Sequence, residues 1–333
     1  MDFNKGFSAE YYATFVDPRT WADTDRFEIT GGSISNKDSD LRQSADIDCV
    51  EYTAGERWVR VYLDARQSGD ITHNPLITGL SSCPEDDIDG NYITNSLEIY
   101  SVLKPCEDVL LPRGWYAPRG STGAGIIKTL LSVSPAPVDV EDFSPALTES
   151  IVAESGETNL SMTEKILTAI GWRMYIEGNG TVVVCSKANK SSARYDAEEN
   201  DSIEPKISRK RDWYSCPNVF RAVVDDVSAV ARDDSEDSEL STVNRGREIW
   251  MEDDSCELND NESIMHYAMR RLKEEQQVSE SVSYDRRYNP DLHIGDWVDL
   301  DYPRQRVKGT YEIVSQSIEI GYGAKTSEEV VKV

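Results

Sequence analysis

At 333 residues the chain is long enough for two or three domains, and its net charge of −26, from 61 acidic against 35 basic residues, argues against a nucleic-acid-binding surface, which needs clustered Lys and Arg. A hydrophobic content of 38% is low for a compact enzyme and suits many short strands with one face in water. No apolar run approaches the ~20 residues of a membrane span, and the opening Met-Asp-Phe-Asn-Lys-Gly-Phe lacks the basic-then-apolar order of a secretory signal, so synthesis in a cytoplasm is expected.

Residues 1–24 are mixed and aromatic, with a turn at Asp17-Pro18, and read as an N-terminal arm or a first strand. From Phe27 the text turns to strands: Phe27–Thr30, a Gly31-Gly32 turn, Ser33–Ser35, Ser44–Val50, Trp58–Ala65, Ile71–Leu80 and Tyr92–Leu103. Strands at such regular spacing, with turn residues between them, predict a small barrel or sandwich over 25–108. A Gly-rich start at Gly120–Gly125 leads into helical spacing of Ile126, Ile127, Leu130 and Leu131, and Ser134-Pro135-Ala136-Pro137 ends that helix. In a second helix Ser161 and Glu164 form a capping box ahead of the Ile166, Leu167, Ile170 stripe. A hairpin follows from Arg173 to Cys185, tipped by Gly178-Asn179-Gly180. Residues 109–205 are therefore a small α+β unit.

The polar stretch 187–212 reads as a connector. Strand pattern resumes at Val219–Val224, Asp233–Glu239 is a solvated acidic run, and 262–276 is an amphipathic helix carrying Ile264, Ala268, Met269 and Leu272. It runs into the alternating 278–284 and then into Tyr288–Ile320. There Trp297–Tyr302 alternates apolar with acidic residues, as a half-buried strand requires, and Gly309 opens a return strand. On that strand Tyr311, Ile313, Ser315, Ser317 and Glu319 share one face and Glu312, Val314, Gln316, Ile318 and Ile320 the other. The fold class expected is mainly β, α+β overall: two small antiparallel β-barrels, 25–108 and 206–333 with an inserted helix, joined by the α+β domain.

Nothing in the chain assembles a reaction centre. Gly120–Gly125 lacks the Gly-Lys-Ser/Thr ending of a P-loop and reads as a flexible helix start. The Asp86–Gly90 stretch has half a calcium loop, but Ser96 stands where a bidentate Glu belongs, so a hairpin turn is expected. Six cysteines (Cys49, Cys83, Cys106, Cys185, Cys216, Cys256) form no Cys-x-x-Cys and read as buried thiols, and His73, His266 and His293 lie far apart. No Gly-x-Ser-x-Gly elbow is present. No catalytic, cofactor-binding or metal-ligating residue is assigned, and no cofactor is expected.

Three passages resemble the baseplate or tail-tip hub proteins of tailed phages, a family that includes the body of type VI secretion spike proteins. The first runs from Ile29–Ser35 through Ser44–Asp48 and Trp58–Asp64 to Leu76–Leu80. The second is the helix-to-hairpin passage Thr163–Val184. The third extends from Asn218–Val224 to the wording Pro290-x-Leu-x-Ile-Gly-Asp-x-Val298 and Gly309-x-Tyr-x-Ile-x-Ser315. The resemblance implies a homotrimer whose two barrels per subunit make a six-barrel ring. One face would meet the tail tube or distal tail protein, the other a spike, fibre or lysin protein, with the tape measure protein as a further neighbour and DNA passing through. It implies a structural part of the virion tail, and not an enzyme; acids near Asp86 or Asp233 would line the passage. A host-receptor or glycan-binding module, favoured by the aromatic content, and a tail-associated cell-wall hydrolase are the competing readings.

Overall fold

The structure, a computed structural model, describes all residues except 39–40, 51, 53–54, 83–84, 90–91, 143, 189, 197–202, 212, 225–226, 255, 257–262 and 277–279. The first eight strands are β1 (Ser8–Val16), β2 (Asp23–Phe27), β3 (Ile29–Lys37), β4 (Gln43–Cys49), β5 (Trp58–Gln67), β6 (Asp70–Ser81), β7 (Glu85–Asp89) and β8 (Tyr92–Ser101). They pair in the order β3-β4-β8-β6-β5-β1-β2, with β7 beside β8. Only Glu28 separates β2 from β3, so the path returns to the segment it started from: its first half pairs with β1 and its second with β4. β1, nine residues of the expected arm 1–24, pairs with β5 at eight positions from Ser8↔Arg66 to Phe15↔Val59 and is thus a strand of the sheet. The alternating pattern of β4 puts Ala45, Ile47 and Cys49 inside with Val59, Val61, Leu63, Ile77, Leu97 and Ile99. Each fully buried Leu or Ile of this kind contributes about 1.5–3 kcal/mol.

Gly31-Gly32 does not turn the chain. β3 runs straight through it with a bulge, and Gly32 sits at φ +131 where an added Cβ would lie 2.2 Å from the Asp46 carbonyl oxygen. Glycine here permits close strand approach, a role that looks the same in sequence as a turn.

The middle of the chain holds α1 (Lys104–Asp108), β9 (Tyr116–Ala117), α2 (Gly123–Leu131), β10 (Val138–Val140), β11 (Ile151–Val152), α3 (Asn159–Ile170), β12 (Trp172–Ile176) and β13 (Val182–Ser186). α2 and α3 pack Ile127, Leu130, Leu131, Ile166, Leu167 and Ile170 against Trp172, Met174, Val182 and Val184 of the β10-β13-β12 sheet. The capping box of α3 is one turn earlier than expected: Thr158 caps and Ser161 is its reciprocal partner. Glu164 instead reaches Arg42, accepting two hydrogen bonds at 2.7 and 2.8 Å.

The supposed connector 187–212 contains two strands, β14 (Ser192–Asp196) and β15 (Ile203–Arg211). The chain then passes through β16 (Val219–Val224), β17 (Val227–Arg232), α4 (Thr242–Arg245), β18 (Trp250–Asp253) and α5 (Ile264–Glu275). It resumes with β19 (Glu280–Arg287), β20 (Trp297–Tyr302), β21 (Val307–Glu319) and β22 (Lys325–Lys332). Two compact units result: Met1–Ile207 with Ser283–Val331 and Val333, and Ser208–Val282 with Lys332. In the second, α5 buries Tyr267, Ala268 and Leu272 against Phe220 and Ala222 of the β17-β16-β18 sheet.

The last strands pair in the order β15-β19-β22-β21, with β20 beside β21 and β14 beside β20. This path repeats the first one step for step: β3-β4-β8-β6-β5-β1 there, β15-β19-β22-β21-β20-β14 here. Its two ends, β14 and β15, are joined by residues 197–202, which lie outside the described residues. One difference is of direction, since β14 runs parallel to β20 whereas β1 runs antiparallel to β5. The chain is mainly β, and both paths belong to one 14-stranded sheet because β21 pairs with β3.

Candidate functional site

Three attachments within the first unit fix the two strand paths against each other, and together they are the candidate site. The first is the backbone pairing itself. β21 pairs with β20 from Val307 to Glu312, then with β3 from Ser315 to Glu319. The buried positions change parity at that exchange, from Tyr311 and Ile313 to Gln316, Ile318 and Ile320. The strict two-face reading of this strand is therefore corrected: changing neighbours shifts its inward set by one residue.

The second attachment is the β12–β13 hairpin. Its tip enters the first path. The Thr78 hydroxyl donates to the Gly178 carbonyl (2.8 Å), and both Trp21 Nε1 and Arg60 Nη2 donate to the Asn179 carbonyl (3.0 Å each). Arg60 is held in turn by Asp23 (2.7 Å) and donates to Thr78 (2.8 Å). A Cβ on Gly178 would lie 1.8 Å from the Pro75 carbonyl oxygen, so this residue type is dictated by contact.

The base of the same hairpin reaches the second path. Arg173 donates to the Asp296 carboxylate (2.9 Å) and to the Ile294 carbonyl (3.0 Å). Asp296, almost wholly buried, also accepts from the backbone amides of Ser191 (3.1 Å) and His293 (2.9 Å). Burial pushes this carboxyl up, but the His293 and Arg173 donors outweigh it and hold it below the ordinary aspartate range. Gly295 turns at φ +85, and a Cβ there would meet Arg173 Nη1 at 2.7 Å. The Gly-Asp pair is thus both a turn and a socket for an arginine 122 residues away in Gly295 and 123 in Asp296 (295 − 173 and 296 − 173).

The third attachment is the N-terminal segment. Phe3 packs edge-on to Tyr288 with ring centroids 5.9 Å apart, and the Tyr11 hydroxyl donates to the Gly321 carbonyl (2.9 Å). Between these attachments lies an open cleft of about 600 Å³ whose walls include Asn36, Gln43 and Gln316 beside Leu76, Ile176 and Leu292.

Inside the second path the residues are not all apolar. Arg286 and Glu328, both fully buried, form an ion pair, and Glu328 also accepts from the Tyr284 hydroxyl and Gln316 Nε2 (2.7 Å each). Burial opposes the charge on Arg286, yet the Glu328 carboxylate outweighs it and raises the guanidinium above its usual range. Burial, with Glu328 adding to it, lifts Tyr284 well above a free tyrosine. Sequence reading missed this network, but a signal was there. Val282, Tyr284 and Arg286 share the inward parity of β19, as do Thr326, Glu328 and Val330 on β22. A charge repeating on an otherwise inward face must find a partner.

The first two amides of α2 are occupied by the Pro145 carbonyl (Gly123 N, 3.2 Å) and Ser144 Oγ (Ala124 N, 2.9 Å). β7 pairs with β8 from Glu85↔Ser96 to Asp89↔Tyr92, which is the hairpin, while Gly90 and Asn91 lie outside the described residues. Asp233 accepts from Ser238 Oγ (2.6 Å) and Gln276 Nε2 (3.0 Å), so part of the acidic run braces the end of α5. Cys49, Cys106, Cys185 and Cys216 are buried thiols and Cys256 is half-buried; Cys83 lies outside the described residues. Burial pushes the Cys49 and Cys106 thiols up to about 11. The three histidines remain apart: His73 meets Asp64, His293 meets Asp296, and His266 lies on α5. Among the described residues no three His, Cys, Asp or Glu side chains gather as a metal site.

No protein-family model matches the chain, and no curated protein matches it. Solved structures do. The 43 kDa tail protein of prophage MuSo2 from Shewanella oneidensis aligns at 15% identity over 98% of each chain, with a TM-score of 0.67. A tail protein from Neisseria meningitidis aligns at 14% identity over 98% of this chain and 97% of that one, with a TM-score of 0.65. A component of the Escherichia coli type VI secretion system, itself structurally similar to bacteriophage tail proteins, aligns at 8% identity over 92% of this chain and 74% of that one, with a TM-score of 0.51. From its first strand to its last, this chain has the fold of phage tail proteins.

Proposed function

We propose that the chain is a structural hub of a phage tail tip or baseplate. In this reading three copies form a ring of pseudo-six-fold symmetry that joins the tail tube or distal tail ring to a spike, fibre or lysin. The observation that carries it is the repeated strand path. One chain holds two paths of the same order, joined edge to edge by β21 and β3. Reading the two paths as the two barrels, three chains supply six similar units, the number a six-fold tube presents. The tail-protein fold supports the location in the virion tail, and the tape measure protein would be a neighbour there. A net charge of −26 favours a passage to which DNA does not adhere. The proposed role needs no catalysis: it asks of the chain only rigid joints and matching edges. Native mass spectrometry of the full chain tests this, with a species of three times 37.4 kDa expected. A preparation that is wholly single-copy, or that turns over cell-wall polymer, contradicts it.

A further inference from the structure

The joint between the two paths carries a row of amides. Gln316 of β21 lies opposite Asn36 of β3, and Asn36 lies opposite Gln43 of β4, so the three side chains stand side by side across adjacent strands. All three line the open cleft of about 600 Å³. Asn36 Oδ1 and Gln43 Oε1 are buried and meet no donor among the described residues, and Gln43 as a whole is only 6% exposed. An acceptor removed from bulk water and given no donor is costly, so the donor must come from something that enters the cleft.

What kind of donor follows from what the neighbouring groups already do. Gln43 Nε2 donates to the Ile176 carbonyl (3.0 Å), which can only accept, so the orientation of this amide is fixed. Gln316 Nε2 is spent on the Leu292 carbonyl (3.2 Å) and Glu328 (2.7 Å), and Asn74 Nδ2 on the Leu63 and Thr72 carbonyls (3.3 and 3.2 Å). Asn179 Nδ2 is spent on Glu177 (3.1 Å). What these amides leave over is acceptor. Two carboxylates, Glu177 and Asp291, also line the cleft, and among the described residues neither pairs with a basic side chain. Arg286, a cation of the same lining, is neutralised by Glu328. Leu76, Ile176, Leu292 and Ile318 lie between the polar groups and offer apolar wall to a methylene stem. We infer that the cleft binds an alkyl ammonium group. Its N–H groups donate to Gln43 Oε1 and Asn36 Oδ1, Glu177 and Asp291 balance its charge, and its stem packs on the apolar wall. An anion would meet two carboxylates and bare amide oxygens. A saccharide or a peptide backbone brings acceptors along with its donors and would set oxygen against oxygen. A free polyamine and a lysine side chain of a partner share the required chemistry, and the cleft is large enough for either. Such a site serves one copy as well as three, so its failure would leave the ring reading untouched.

The test is calorimetric titration of the full chain with two probes, spermidine and a Gly-Lys-Gly peptide blocked at both ends. Saturable binding of spermidine alone assigns the cleft to free polyamines, and binding of the peptide assigns it to a partner's lysine; either supports the site. Because a chain of net charge −26 attracts any cation, the variants decide. Gln43→Met removes the buried acceptor, and Glu177→Gln with Asp291→Asn removes the charge at exposed or half-buried positions where the fold is least disturbed. Each is expected to weaken binding by about tenfold or more, the scale of one hydrogen bond to a charged group. Glu236→Gln, in the exposed acidic run, should leave it unchanged, with circular dichroism verifying the fold of every variant. Equal affinity in the wild type and all variants would mean diffuse attraction to an acidic surface and would overturn the site. Absence of binding by both probes would overturn it as well.

Discussion

The two strand paths share one order of neighbours and fill their interiors differently. The first holds Val59, Val61, Leu63, Ile77, Leu97 and Ile99, and the second places Arg286, Glu328, Tyr284 and Gln316 among its apolar residues. A strand order is therefore compatible with either solution, because what it demands is a filled and satisfied interior. The two solutions should fail in different ways. In the first path each residue contributes area, and its loss is local. In the second, each polar residue depends on the rest of the network.

The largest effect expected is from Arg286→Met, which leaves the Glu328 carboxylate buried without its cation and should cost about 3–5 kcal/mol in chemical denaturation. Replacing Arg286 and Glu328 together by Met should recover most of this, and failure to recover would show that the network does more than neutralise itself. Leu63→Ala in the first path should cost about 3 kcal/mol, with no second-site rescue by charge. Gly178→Ala tests the wedge between the paths. Its Cβ would start 1.8 Å from the Pro75 carbonyl oxygen, so the hairpin tip must back away, at about 1–3 kcal/mol. The smallest effect belongs to pH. Because Asp296 is held below its ordinary range in the fold, its contribution is complete above the unfolded value of about 3.9 and fades as pH falls below it. Asp296→Asn should flatten stability against pH in that acidic window alone, which a denaturation series between about pH 5 and 2 would register.

Much of this was legible before the structure. The alternation of Trp297–Tyr302, the Gly178-Asn179-Gly180 tip and both longer α+β helices were readable, because local periodicity and turn chemistry settle them. What escaped reading depends on distant partners. Gly31-Gly32 looks like a turn until Asp46 is seen against it. Residues 187–212 look like a connector because β14 and β15 are short or edge strands, whose polar composition gives no buried face to detect. The shift of inward parity along β21 follows from β3 arriving as a new neighbour, 282 residues earlier in the chain where Ser317 pairs with Ser35 (317 − 35), and no window of local sequence contains it. Asp296 was visible as part of a Gly-Asp turn, while its partner Arg173 was not.

Ring symmetry is the property of the assembled chain that decides between hub and single-copy protein. Electron microscopy of the purified full chain should show closed rings with six similar lobes built from three copies, alternating between two kinds of junction, one within a chain and one between chains. Particles with a single pair of lobes at every concentration, or rings whose lobe number is not twice their copy number, would contradict it.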